Sequence, residues 1–132
     1  MILGGMAVRI LHTRIRVRDL ERSVAFYRDV LGLEEGGRQK SPRGNQLAFL
    51  RDPVSGHEIE LCLQPGPQDF SFPEDIFHVA FAVRDLRRVG EELARRGIPF
   101  TDGPHFSERG SALAFIDDPD GYEIELVQEP ES

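Results

Sequence analysis

The sequence predicts an α+β fold made of two βαβββ modules in tandem, forming a curved mixed sheet with a central cleft. Three observations lead there: the chain repeats itself, each copy switches from strand-like alternation to helical spacing, and each ends in three short extended segments separated by Gly- and Pro-containing turns. HTRIRVRD at 12–19 matches HVAFAVRD at 78–85, an offset of 78 − 12 = 66 residues, and AFLRDP at 48–53 matches AFIDDP at 114–119 at the same offset. One residue is lost where VSG meets DG, so Glu60 corresponds to Glu125 at 125 − 60 = 65. The 132 residues therefore read as one domain of two repeats, about 8–64 and 76–128, with a linker over 65–75.

Each element has a local reason. The first strand, about 8–18, places Leu11, Thr13, Ile15 and Val17 on one face, and its counterpart at 76–84 places Phe77, Val79, Phe81 and Val83. Asp19 and Asp85 stand where helix N-caps are needed. Leu20, Val24, Tyr27 and Leu31 then recur at helical spacing, as do Leu86, Val89 and Leu93. Gly32 and Gly97 occupy C-cap positions, each followed by an apolar residue, Leu33 or Ile98. The remaining strands are expected at 33–39, 45–51 and 57–64, and at 98–102, 111–117 and 122–128. A helix covering one face of such a sheet leaves the other face for a small-molecule site.

Composition narrows the partners. A formal charge of −7 argues against nucleic acid or an anionic membrane surface. No apolar run approaches the roughly 20 residues that span a bilayer. The single cysteine, Cys62, excludes an internal disulfide, and MILGGMAVRI has no signal-like pattern, so a cytoplasmic setting is expected. The C-terminal EPES reads as a frayed tail.

Period-two bookkeeping then sorts the polar residues. In the opening strands the face away from the apolar one carries His12, Arg14 and Arg16, or His78, Ala80 and Ala82. In the closing strands it carries Glu58, Glu60 and Cys62, or Glu123, Glu125 and Val127. Two imidazoles and two carboxylates at repeat-related positions, His12, Glu60, His78 and Glu125, suit one divalent first-row ion: Ni, Co, Zn, Mn or Fe. Four protein donors would leave two octahedral positions for water or substrate oxygens. Glu58 and Glu123, nearer the strand starts, read as solvated rim. Cys62 reads as a small core or cleft-lining residue, His57 as packing on the helix side, and His105 as an exposed residue of a Gly-Pro loop. Phe70 and Phe72 fall in the linker, which reads as a plain connection, with a wrap of the two rings over the cleft mouth as the alternative.

LHTRIRVRDLERSVAFYRDVLGLE, FHVAFAVRDL and DPDGYEIELV together resemble the vicinal oxygen chelate superfamily, and within it glyoxalase I. The resemblance covers nearly the whole chain. It implies a metal held by His12, Glu60, His78 and Glu125, and a lyase or isomerase of lactoylglutathione lyase type that moves a proton next to a carbonyl through a metal-stabilised enediolate. Glu125 would be the catalytic base and Glu60 its symmetric alternative. Arg16 stands where the family's motif has an arginine for the glutathione carboxylate, and Arg109, in SERGSA, stands in for a lysine-glycine loop. The usual Asn-Trp-Gly segment is replaced by CLQPGPQDFSFPED, which leaves open whether the substrate is a glutathione adduct, another thiol adduct or another small oxygenated metabolite. A homodimer is also implied. Two other readings share the fold: an Fe(II) extradiol-type dioxygenase, which needs two His and one carboxylate and makes Glu60 superfluous, and a ligand-sequestering resistance protein, which makes the whole quartet superfluous.

Overall fold

The computed structural model describes residues 4–130, so Glu131 and Ser132 of the EPES tail lie outside the described residues. Two units follow one another, residues 1–68 and 69–132.

In unit 1, β1 (His12–Arg16) leads into α1 (Leu20–Ala25), and β2 (Glu34–Lys40), β3 (Gln46–Arg51) and β4 (Glu58–Leu63) follow. The sheet order is β1-β4-β3-β2, with β1 and β4 parallel and the other pairs antiparallel. Asp19 caps α1 by accepting a hydrogen bond from the Arg22 N–H at 3.1 Å, a contact worth about 1 kcal/mol. The helix does not simply continue to Leu31, as the spacing predicts. A π turn spans Phe26–Val30, and the Leu31 N–H donates to the Phe26 carbonyl, five residues back. The wider turn brings Phe26 and Tyr27 into the core side by side and leaves Leu31 half-buried. Ile15, Val17, Leu20, Val24, Leu50 and Leu61 complete that core.

Unit 2 repeats the order with β5 (His78–Val83), α2 (Leu86–Arg95), β6 (Asp102–Phe106), β7 (Ala112–Asp117) and β8 (Glu123–Gln128), arranged β5-β8-β7-β6. Asp85 caps α2 through the Arg88 N–H at 3.2 Å. At its other end the Ile98 N–H donates to the Leu93 carbonyl while Gly97 takes φ +76, the expected C-cap. Leu86, Leu93, Ile116, Ile124 and Leu126 form the core of this unit.

Several expectations shift. The opening strand begins at His12 rather than near residue 8, and Leu11 is 61% exposed instead of lying on the apolar face. β6 falls at Asp102–Phe106, not 98–102, because Ile98 is taken up by the helix C-cap and Phe100 packs on α2. His105 is exposed as expected, but it lies on β6, bonded to Asp102 at 2.8 Å, not in a loop. His57 is exposed, 3.3 Å from the Thr13 hydroxyl, rather than packed, because it precedes the first residue of β4. Phe72 stacks on Tyr122, centroids 4.4 Å apart and planes 5° from parallel, so the segment expected as a plain linker packs onto unit 2.

The packing of Phe100 makes one position sensitive. A Cβ on Gly90, in the middle of α2, would lie 2.7 Å from two Phe100 ring atoms. Alanine normally favours a helix over glycine, yet here Gly90→Ala is expected to lower stability by about 1–3 kcal/mol, as overpacking does. Thermal denaturation checks the sign.

Candidate metal centre

Each closing strand is introduced by a turn that its own aspartate organises. Asp52 accepts hydrogen bonds from the Val54 N–H at 2.9 Å and the Ser55 hydroxyl at 2.7 Å, and these hold its carboxyl below the usual carboxylate range. Asp118 accepts from the Asp120 and Tyr122 N–H groups at 2.8 and 2.9 Å. These DP turns set the strand phase. Ile59 and Leu61, or Ile124 and Leu126, go to the core, so Glu60 and Glu125 project from the opposite face.

In unit 1 the parallel register sets Arg14 across from Glu60 and His12 across from Glu58, and β3 sets Phe49 on the other side of Glu60. His12 Nε2 lies 3.2 Å from Glu60 Oε2. Arg14 Nε donates a short hydrogen bond to Glu60 Oε1, and this contact raises the arginine above its usual range. The imidazole of His12 meets the edge of the Phe49 ring, centroids 5.6 Å apart at 75°. Glu60 is only 3% exposed, and a carboxylate that deep is sustained by having partners on both oxygens. Arg16 ends β1 on the same face, half-buried and opposite Cys62, whose thiol is pushed up by burial.

Unit 2 reproduces part of this. His78 Nε2 lies 3.8 Å from Glu125 Oε1, and the imidazole meets Phe115 edge-on at 5.7 Å and 83°, with Phe115 across from Glu125. Ala80 occupies the position of Arg14. Glu123, expected at the rim, instead sits directly across from His78, and together with Asp75 it forms a three-donor group whose ligand atoms lie within 4.8 Å of one another. Asp75 enters this group from a positive-φ backbone conformation, φ 57. Arg109 is exposed at the turn between β6 and β7, where its N–H donates to the Ser107 hydroxyl at 3.3 Å.

The donor pairs fit an ion. Two adjacent nitrogen or oxygen ligands about 2.1 Å from an octahedral ion stand roughly 3.0 Å apart. The 3.2 Å of His12 and Glu60 matches that edge, and the 3.8 Å of His78 and Glu125 is longer than it. Glu123→Gln is expected to keep metal affinity within about threefold if Glu125 is the donor beside His78; a loss of about 10- to 100-fold would move ligation to Asp75, His78 and Glu123. Metal competition with a chromophoric chelator reads the difference.

Strand alternation in the sequence puts His12 and Glu60 on one face and His78 and Glu125 on another, and within each unit the imidazole lies 3.2 or 3.8 Å from the carboxylate. Phe49 and Phe115 are not among the sequence's site candidates, although both lie inside the repeated AFLRDP and AFIDDP motifs on the face of the glutamates. The partner of Arg14 and the place of Asp75 leave no sequence signal, since Asp75 has Arg9 as its counterpart at the repeat offset.

A model of the Glyoxalase/Bleomycin resistance protein/Dioxygenase superfamily matches residues 9–126. The lactoylglutathione lyase of Haemophilus influenzae is 37% identical over 92% of this chain and 93% of that protein. Among solved structures, the trypanothione-dependent glyoxalase I of Leishmania major is 33% identical with a TM-score of 0.77, covering 93% of this chain and 88% of that one. A glyoxalase I variant from Zea mays is 28% identical with a TM-score of 0.78, covering 93% of this chain and 46% of that one. With a repeated histidine-glutamate pair on matching strands and likeness over nearly its full length, the chain belongs to the Glyoxalase/Bleomycin resistance protein/Dioxygenase superfamily, as a glyoxalase I-like lyase.

Proposed function

We infer that the protein is a divalent-metal-dependent lyase that isomerises the adduct of a thiol with a small 2-oxoaldehyde, and that His12, Glu60, His78 and Glu125 hold its metal. The observation that carries this is the recurrence of one imidazole-carboxylate pair, backed by a phenylalanine ring, in each unit. The ion, when bound, supplies positive charge to the two adjacent substrate oxygens. Glu125 takes the proton from the carbon beside the carbonyl and returns it to the neighbouring carbon, so no other reactant is consumed. A carboxylate in this role contributes about 10²- to 10⁴-fold to the rate. Arg16 offers a fork of donors to a carboxylate on the thiol, and Arg109 is a second cationic contact.

The Haemophilus relative is named for lactoylglutathione and the Leishmania one for trypanothione. For this chain we favour glutathione because Arg16 suits its carboxylate. The test is reconstitution with Ni, Co, Zn, Mn or Fe, followed by assay with methylglyoxal and glutathione. Turnover with at least one metal is expected, and its absence with all five, in protein shown to bind them, would overturn the reaction.

We also place the protein in the cytoplasm as a homodimer. A lone buried cysteine suits a reducing compartment. Met6, Val8, Ile10 and Leu11, each more than 60% exposed, form an apolar stretch of the kind a second subunit covers. Among the described residues no helix is long and apolar enough to cross a membrane.

A further inference from the structure

The repeat makes Glu60 and Glu125 equivalent by position, yet the residue directly across the parallel strand pair from each is different. In unit 1, Arg14 stands across the strand pair from Glu60 and its Nε donates to Oε1, while Oε2 faces His12. In unit 2, the corresponding position is Ala80, whose methyl group has no donor to offer Glu125. The side chain of Glu60 is 4% exposed and that of Glu125 is 20% exposed.

We propose that Arg14 is a positioning residue that makes the two glutamates unequal: it holds Glu60 as a fixed donor with one oxygen left for the ion, and the alanine at position 80 leaves Glu125 as the carboxylate free to carry the proton. The inference rests on the metal-centre reading above. A carboxylate that moves a proton needs an oxygen not already engaged and room to turn. Glu60 has neither, because one oxygen carries the guanidinium hydrogen bond and the residue is buried. Glu125 has both. Groups that orient a metal-binding carboxylate characteristically change affinity or activity by about 10- to 100-fold when removed.

The test uses the full chain loaded with Co(II) and reads the visible spectrum of the metal alongside steady-state kinetics. In Arg14→Met, Glu60 gains a free second oxygen. The spectrum is expected to change and kcat to fall about 10-fold or more, with KM within about twofold. Arg14→Lys, which keeps a donor toward Oε1, is expected to recover most of both. Ala80→Arg is the converse variant, at an exposed position where the larger side chain can be accommodated. It sets a guanidinium across from Glu125, and kcat is expected to fall about 10-fold or more while the metal is retained.

An Arg14→Met protein with the wild-type spectrum and kcat, or an Ala80→Arg protein that turns over like the wild type, would overturn the role of Arg14 while leaving the metal centre standing. A wild-type protein that binds no Co(II) would overturn both. Should Arg14→Met not fold, Ala80→Arg carries the test alone.

Discussion

Glu125→Gln is expected to lower kcat by about 10²- to 10⁴-fold, with circular dichroism and thermal denaturation unchanged. The substitution keeps the size of the side chain and an oxygen that can face an ion, and it removes the one property a base requires. Glu125 is not part of the core: its strand is anchored by Ile124 and Leu126 on the other face, both essentially buried. The fold therefore has little reason to respond. Glu60→Gln makes the informative comparison. It loses the charged contact of a residue that is itself 3% exposed with Arg14, so it is expected to cost stability as well as activity. A Glu125→Gln enzyme retaining more than about a tenth of wild-type kcat would remove Glu125 from the role of base.

Leu126→Ala is expected to destabilise the protein by about 2–5 kcal/mol. The residue is 2% exposed in the central strand β8, between β5 and β7, and is a neighbour in sequence of Glu125. A loss of that size is a large part of the roughly 5–15 kcal/mol that holds a typical domain together. It corresponds to a fall in Tm of roughly 10–20 °C. Scanning calorimetry checks it, and a drop of only a degree or two would mean that the core of unit 2 is looser than its burial implies.

The repeat made most of the fold legible. Two copies of each strand and helix signal confirm one another, and both N-cap aspartates and both C-cap glycines sit where the spacing puts them. What escaped the sequence reading did so for physical reasons. The π turn at Phe26–Val30 breaks the 3.6-residue period on which the assignment of Leu31 relied. β6 contains Pro104 and a register irregularity between Asp102 and His105, so its sequence lacks strand alternation, whereas IPF at 98–100 imitates it. The site was legible wherever a strand carries it, since alternation decides which side chains share a face. Asp75 comes from the segment before β5, outside any alternation, and it reaches His78 from a positive-φ conformation that no pattern of residues announces. The pairing of Arg14 with Glu60 depends on the parallel register of β1 on β4, which no local pattern encodes.

The central proposal is that both histidine-glutamate pairs, His12 with Glu60 and His78 with Glu125, are metal ligands. Elemental analysis of purified wild type, His12→Ala and His78→Ala, each equilibrated with the same divalent metal, tests it most directly. The account predicts about one ion per chain in the wild type and a loss of affinity of about 10-fold or more in either variant alone. Full retention of the metal when either histidine is replaced would contradict it.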